Sequence, residues 1–520
     1  MWYNIVMYDK LTELISNGEL NEALYEFQEE FLHIDERSPK DAARLCVLEG
    51  TLWEMLCDPV SEFDAITRGL GYDPDNYELY YMLCLYYRNL NLNKAYLCGE
   101  MALFCCNEPA DKKVIEGDLF SISEDPACTV RNTSIVILSY NDYELLQKNL
   151  EAIEATLPKG SFEVVVVDNA STDERVIPFL RKKQSTAPYP FKLIENSENL
   201  GFSKGCNIGA MEAEPDNDIF FLNNDAVLLK GSLFYLRLAL YDSRRVGAAG
   251  AMSNSASLQE IDEKDILTFA GRQDLVRKSE GEPMWHKKTD PGTAIEIFSS
   301  FAGTRNVPRK NPYIKTFRLT GFALLLSREA VKAVAPDMQV FDESFSPAYF
   351  EDDDLGIRVA RAGFDQYICT NSLIYHNGGG TFGKNDQMEE SRRKFIDKWG
   401  FDIWGYSLPR TVSADRAMDF ARKSGQKLRV IDFTCGFGAT AAYIKNRMPD
   451  AFVAGVCATA FEAGIAAHIA DDVSFGDMNT MKLPWKRHTF DVVLTEEGLI
   501  SRGRISECLR AGGICIEEDF

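Results

Sequence analysis

Ser134-Ile135-Val136-Ile137-Leu138-Ser139-Tyr140-Asn141 decides the fold: a short apolar, β-branched run that breaks abruptly into polar residues. Two later stretches have the same form. Glu163-Val164-Val165-Val166-Val167 leads into Asp168-Asn169-Ala170-Ser171-Thr172-Asp173, and Asp218-Ile219-Phe220-Phe221-Leu222 leads into Asn223-Asn224-Asp225. Strands this apolar are buried on both faces, as in a parallel sheet covered by helices. Ligands of open α/β sheets sit beyond the carboxyl ends of the strands, where these polar residues collect. Between the second and third runs lies the stretch from Asn199 to Gly209. It reads as a strand-to-helix loop, with glycines where a backbone must come close to a ligand. Taken singly, Asp168 and Ser171 are explained as a helix cap and Asn223-Asn224-Asp225 as a turn. The ordered series points to a site.

The second half carries a complementary set. Leu319 to Leu326 is an apolar strand with Gly321 near its start. After Phe341-Asp342-Glu343-Ser344-Phe345 comes Tyr349-Phe350-Glu351-Asp352-Asp353-Asp354-Leu355, which opens a helix through Arg358 and Arg361. Acids at a helix start are favoured by the helix dipole alone. Ile374-Tyr375-His376-Asn377-Gly378-Gly379-Gly380 follows a short strand. Arg392, Arg393 and Lys394 beyond it fit a solvated helix face or a contact with an anion equally well.

From Thr133 to Gly400 this series resembles the family 2 glycosyltransferases of GT-A fold, in the subgroup that includes bacterial rhamnosyltransferase-like enzymes. The resemblance implies an α/β, Rossmann-like core with a mostly parallel sheet. It implies donor-site roles for Ser139, Tyr140, Asn141, Asp168, Ser171, Asn199, Gly201, Lys204, Asn207, Asn223, Asn224 and Gly321, with Asp168 accepting from the nucleotide base. Asp225, the last residue of an Asp-x-Asp-type motif, and His376 would meet Mn²⁺ or Mg²⁺ bridging the donor diphosphate. Hard cations suit carboxylate oxygens and neutralise a departing diphosphate. Asn223 stands where that family often has its first aspartate, so the metal site rests on one strong carboxylate. By the same resemblance Asp352, beside Glu351, is the general base. Crowding by neighbouring acids would raise its pKa. A single carboxylate opposite the leaving group implies single displacement with inversion.

The flanks are expected to form an all-α domain over residues 1–115 and a small α/β Rossmann-like domain over 425–520, around a core at 130–405. Apolar spacing in the first part is helical, Tyr72-Asp73-Pro74-Asp75-Asn76-Tyr77 opens one helix, and Ala95 and Ala102 mark its partner. This resembles a tetratricopeptide repeat, which suggests a protein-docking surface; an ordinary helical bundle explains it as well. Residues 111–132 read as a polar connector. Leu428 to Gly438 resembles the first motif of class I methyltransferases. Val456-Cys457-Ala458 stands where an acid should hold the cofactor ribose, and the segment is short. A truncated methyltransferase-like domain with a structural or interaction role is expected.

Bulk properties narrow the function. Over 520 residues, 45% hydrophobic and 26% charged, the chain has the balance of a soluble protein. A formal charge of −23 argues against nucleic acid or anionic lipid as a generic partner. No apolar run spans a membrane and no signal peptide is read at the start, so a cytoplasmic setting is expected. The 13 cysteines form no CxxC pair and suit buried thiols in a reducing compartment. Three readings remain: an enzyme moving sugar from a nucleotide-sugar donor to a glycan or protein acceptor (flagellin is one such protein), a non-catalytic scaffold of decayed enzyme folds, or a methyltransferase with an accessory sugar-binding domain. Oligomeric state is not legible.

Overall fold

The computed structural model describes residues 2–279, 282–378 and 384–518; Gly379 and Gly380 lie outside the described residues. The central region contributes β1 (Thr133–Ser139), β2 (Phe162–Asp168), β3 (Phe191–Glu195), β4 (Asp218–Leu222), β5 (Ala226–Val227), β6 (Val246–Met252), β7 (Tyr313–Thr316), β8 (Ala323–Leu326), β9 (Asp365–Leu373) and β10 (Tyr375–His376). Eight of them form one sheet in the order β3-β2-β1-β4-β8-β6-β9-β7, and β5 pairs with β10 in a separate ribbon. The first four strands of that order are parallel. β8 runs antiparallel between β4 and β6, β6 and β9 are parallel, and β7 closes the edge antiparallel to β9. This is the mostly parallel GT-A core.

All three apolar runs are strands buried on both faces. Ile135, Ile137, Val164 and Val166 pack against Leu146, Leu150 and Ile153 of the helix Tyr143–Thr156. Val136, Val165 and Phe221 face Cys206 and Ala210 of the helix Phe202–Glu212 on the other side. That second helix revises one expectation. Gly205 and Gly209 are helical, not part of a ligand loop. A Cβ on Gly205 would sit 2.3 Å from Leu138 Cδ1, and one on Gly209 would sit 2.4 Å from Val136 Cγ1. Four residues apart, they form the bare face that lets this helix lie against β1. The expected strand over Leu319–Leu326 is also shorter. Thr320 N–H donates to Gln259 Oε1 (2.7 Å) and Gly321 N–H to Asp352 Oδ2 (3.1 Å), so the ladder gives way before β8 begins.

Helices from Trp2–Asn17 to Pro109–Ser123 precede the sheet. Within the segment expected to open a helix, Asn76 is the cap, accepting from Leu79 N–H at 3.0 Å. The expected connector at 111–132 is helical as far as Ser123. The charged spacing hid an apolar edge: Ile115 and Ile122 are buried, and Leu119 meets the bare Gly99. Tyr77 and Tyr81 add hydroxyl bonds to Asp111 (2.6 Å) and Asp118 (2.5 Å). The helix Ser232–Leu240 lies between these helices and the sheet and is buried along its whole length. Its Arg237 pairs with Glu100 of the helical region.

The last segment forms β11 (Arg429–Asp432), β12 (Phe452–Cys457), β13 (Asp472–Phe475), β14 (Phe490–Glu496) and β15 (Leu509–Glu518), in the parallel order β13-β12-β11-β14-β15. This Rossmann-like unit shares a core with the GT-A region: Phe350, Ile357 and Ala360 lie with Phe437, Ile465 and Ile469. His468 Nδ1 meets Asp365 Oδ1 at 2.6 Å, and its Nε2 meets the Ala360 carbonyl at 2.8 Å. All thirteen cysteines are unpaired. No helix among the described residues is long and apolar enough to cross a membrane.

Candidate active site

A cavity of about 500 Å³ opens where β1 and β4 end and the helix Glu351–Arg361 begins. Its wall brings together Tyr140, Asn199, Gly201, Asn223, Asn224, Asp225, Gly321, Glu351, Asp352 and His376 from the expected set. Sequence reading missed Asp142, Ser255, Glu260, Thr320 and Tyr349, which also line it.

Six expected residues do not line this cavity. Ser139 is fully buried within β1. Asp168 accepts from the N–H (2.9 Å) and hydroxyl (2.5 Å) of Ser171, whose Oγ in turn accepts from Asn141 N–H (2.8 Å). Asn141 Oδ1 accepts from the N–H groups of Thr172 (2.8 Å) and Asp173 (3.0 Å). Asn141, Asp168 and Ser171 knit the β1 and β2 ends together. They fix a turn with Asn141, Asp142 and Ala170 at positive φ (60°, 50° and 62°), a conformation Asn and Asp tolerate best. Lys204 is exposed on the outer face of its helix. Asn207 is buried and latches Phe341, donating to its carbonyl (2.8 Å) and accepting from its N–H (2.9 Å). Helical periodicity aims both away from the cavity.

At one end of the cavity the β5–β10 ribbon sets His376 opposite Ala226, beside Asp225. Asn149 holds that turn by donating to the carbonyls of Asn223 (3.0 Å) and Ala226 (2.7 Å). His376 Nδ1 donates to the Ser255 carbonyl (2.6 Å), so Nε2 is the atom facing Asp225 Oδ1 (3.3 Å) and Asn223 Nδ2 (3.4 Å). Phe322 stacks on the imidazole at 4.8 Å. Gly378 N–H donates to Asp225 Oδ2 at 2.9 Å; its φ of 63°, and Ser255 Oγ 2.6 Å from where a Cβ would stand, require glycine there. Burial pushes the Asp225 carboxyl up, but the imidazolium, the Gly378 N–H and Lys287 outweigh it and hold the group below its ordinary value. Burial likewise pulls His376 down, and the Asp225 charge more than reverses it.

Among the described residues no three metal-ligating side chains converge. The fit to a divalent ion is therefore a two-ligand one. The Asp225 carboxylate and a correctly tautomerised Nε2 face each other across a gap that only a cation or proton makes favourable. Substrate phosphates and water would complete such a shell, as hard cations commonly allow.

The other end is built by the turn into the helix Glu351–Arg361. Tyr349 and Phe350 both take left-handed conformations (φ 78° and 70°), costing about 1–3 kcal/mol each. The helical turn then sorts its four acids. Asp353 pairs with Arg318, while the fully buried Asp354 pairs with Arg358 and Lys398 and accepts from Trp399 Nε1 (3.0 Å). Glu351 and Asp352 are left to the cavity. Asp352 accepts from Gly321 N–H (3.1 Å) and Asp353 N–H (2.9 Å). Burial and then the Asp353 charge push its carboxyl up to about 7. Burial, with Asp352 alongside, pushes Glu351 well above the usual carboxyl range, and its Oε2 has no protein partner. Two adjacent carboxyls, Glu351 buried and Asp352 half-buried, keep a proton between them. Arg392 is turned to Asp402 and Glu389, and Lys394 to Glu390, so neither lines the cavity.

Residues 134–305 match the family described as "Glycosyl transferase family 2". That match places a glycosyltransferase family 2 domain in the central region, on the mostly parallel sheet described above. Over 261 residues the chain is 23% identical to the "Uncharacterized glycosyltransferase YfnE" of Bacillus subtilis (strain 168), covering 47% of this chain and 64% of that protein. The chain thus spans less than two thirds of that relative. Solved structures with similarity include GalNAc-T7 with UDP, GalNAc and Mn²⁺ (11% identity, 53% of this chain, 49% of that one, TM-score 0.38). Another is the mannosyltransferase PcManGT of Pyrobaculum calidifontis with GDP-Man and Mn²⁺ (14% identity, 68% and 82% covered, TM-score 0.33).

Proposed function

We propose that the chain transfers a sugar from a nucleotide-sugar donor, UDP- or dTDP-linked, to a hydroxyl of a glycan or protein acceptor, with inversion at the anomeric carbon. One observation carries this reading: Asp225 with His376 and Asp352 with Glu351 open into the same cavity from opposite structural elements. A site for the donor diphosphate and a proton acceptor thus face one space.

In this reading the donor lies along the β1 and β4 ends, between Tyr140, Asn199 and Asn223, with its diphosphate toward Asp225 and His376. Asp352 accepts the acceptor hydroxyl's proton as that oxygen bonds the anomeric carbon and the carbon–diphosphate bond breaks. Its raised pKa suits a base that must release the proton again near neutral pH. Glu351 keeps its proton and so spares Asp352 a second adjacent charge. Mn²⁺ or Mg²⁺, held by Asp225 and His376, would supply charge neutralisation for the departing nucleoside diphosphate. The paired N-terminal helices are the proposed docking surface for a protein acceptor. We propose no methyl transfer for the C-terminal unit.

The test is calorimetric titration of UDP and dTDP with and without Mn²⁺, followed by nucleoside diphosphate release from a panel of nucleotide-sugars. Divalent-dependent binding and release are expected. Failure of every diphosphate to bind with Mn²⁺ present overturns the proposal.

A further inference from the structure

We infer that Arg318 is a positioning residue for Asp352, and that through it the C-terminal domain holds the transferase site in shape. The inference rests on the reading of Asp352 as the base.

The two N–H groups that hold the Asp352 carboxylate come from chain segments far apart in sequence, Gly321 and Asp353. Arg318 ties those segments together. It lies three residues before Gly321, and its fork grips the Asp353 carboxylate, with Nη2 2.9 Å from Oδ2 and Nε bonded to Oδ1. Such a bidentate pair fixes orientation as well as distance. The pair is largely buried, with side-chain exposures of 15% and 9%. If the fork opens, Gly321 and Asp353 are free to separate, and the carboxylate they share loses its aim.

The third arm of Arg318 leads to the C-terminal domain. Nη1 donates to Ser407 Oγ at 2.8 Å. Ser407 ends the short helix Ile403–Ser407, and the preceding Tyr406 is locked into the turn after β11. Its ring stacks on Phe437 with centroids 4.0 Å apart. Its hydroxyl donates to Glu462 Oε1 (2.9 Å), whose other oxygen caps the helix Ala460–Ala466. Gly436 (φ 50°) lies against it, with Tyr406 Cδ1 3.2 Å from where a Cβ would stand. Tyr406 therefore fills space beside the glycine turn that resembles a cofactor loop, and the domain grips the linker there. A continuous line of contacts runs from Glu462 through Tyr406, Ser407, Arg318 and Asp353 to Asp352.

Arg318 also sets the charge around the base. Glu351 and Asp353 face Asp352 from its own helix, Arg318 from the segment before β8, and Glu260, Asp225 and His376 border the same cavity. Removing the guanidinium leaves Asp353 uncompensated beside Asp352.

The experiment compares full-length Arg318→Gln with the unaltered protein, reading kcat and KM for donor across pH 5.5–9. Expected are a fall in kcat of about tenfold or more, donor KM within about twofold, and an acid limb of kcat moved up by about one pH unit. The double variant Arg318→Gln/Asp353→Asn removes both charges, so its acid limb should return toward the original while kcat stays low. If Arg318→Gln does not fold, Arg318→Lys keeps the charge without the fork; kcat should then fall with the limb unmoved. An unmoved limb in Arg318→Gln, or kcat unchanged in every variant, overturns the inference. Asp352→Asn run alongside separates the two readings: if it stays active, the base assignment has failed rather than the role of Arg318.

Discussion

Replacing Asp352 with Asn should abolish transfer and yet stabilise the protein, by an amount that grows with pH. The carboxyl's value rises from 3.8 to about 7 on folding, chiefly through burial. A carboxyl raised in this way costs folding nothing below its ordinary value. The cost grows as pH climbs and levels off above its folded value. At pH 8 the full shift of about three units applies, worth about 4 kcal/mol; at pH 5.5 only about half has accrued, about 2 kcal/mol. Asn escapes the ionisation but leaves the Asp353 N–H without its acceptor, which costs about 1 kcal/mol at either pH. The variant's advantage should therefore widen by about 2 kcal/mol between pH 5.5 and 8. Because the lost hydrogen bond is the same at both pH values, it drops out of that difference. Urea unfolding followed by tryptophan fluorescence, at both pH values for both proteins, reads it directly. Turnover should fall by about 10²–10⁴ with diphosphate binding retained. A stability difference that is the same at pH 5.5 and 8 would refute the reasoning, because Asp352 would then titrate as an exposed carboxyl does.

Other substitutions probe separate parts of the molecule. Asp225→Asn removes the carboxylate that faces His376 Nε2, so diphosphate binding should lose its dependence on Mn²⁺, measurable by calorimetry. Gly209→Val drives a methyl group into Val136, which is walled in by the sheet, and should lower stability by about 1–3 kcal/mol; an unchanged thermal midpoint would contradict the close packing of that helix. Asp354→Asn strips the fully buried partner of Arg358 and Lys398 and should cost about 3 kcal/mol of stability. Its turnover per folded molecule should be near normal, in contrast to Asp352→Asn two residues earlier in the same helix.

What could be read from the chain follows from how each feature is written there. Strands buried on both faces need apolar residues at every position, so β1, β2 and β4 stand out without any periodicity. The acids of the base helix form a contiguous run and are equally plain. The division of labour among them is not, because it depends on Arg318 and Lys398, which lie 35 residues before Asp353 and 44 after Asp354. Glycines 205 and 209 were read through their loop-like composition. Their spacing of four, set against Leu138 and Val136, was the signal for a bare helix face. Ser255 and Glu260 reach the cavity from a region after β6 with no repeating pattern, and Ser255 meets His376 only because the two-residue β5–β10 ribbon brings the imidazole to it. The charged spacing of residues 109–123 masked a helix because only its Ile115 and Ile122 edge is buried.

The two ends of the cavity ask opposite things of the fold, and the sheet answers with one strand. Donor-facing residues need only the ends of parallel strands, which crossover helices supply in sequence order. In the proposed reaction a base must face those ends from elsewhere, so the chain has to return to the middle of the sheet. β8 does this by inserting antiparallel between β4 and β6, which carries Gly321 to the cavity just before the strand begins. The base helix is then reached only through Tyr349 and Phe350, two residues held at unfavourable φ. The helix that follows this turn buries Ile357 and Ala360 against the C-terminal domain and ties Asp353 to Arg318. The C-terminal domain is therefore part of the reason the proposed base, Asp352, points into the cavity, and its removal should disorder Asp352 before it affects Asp225.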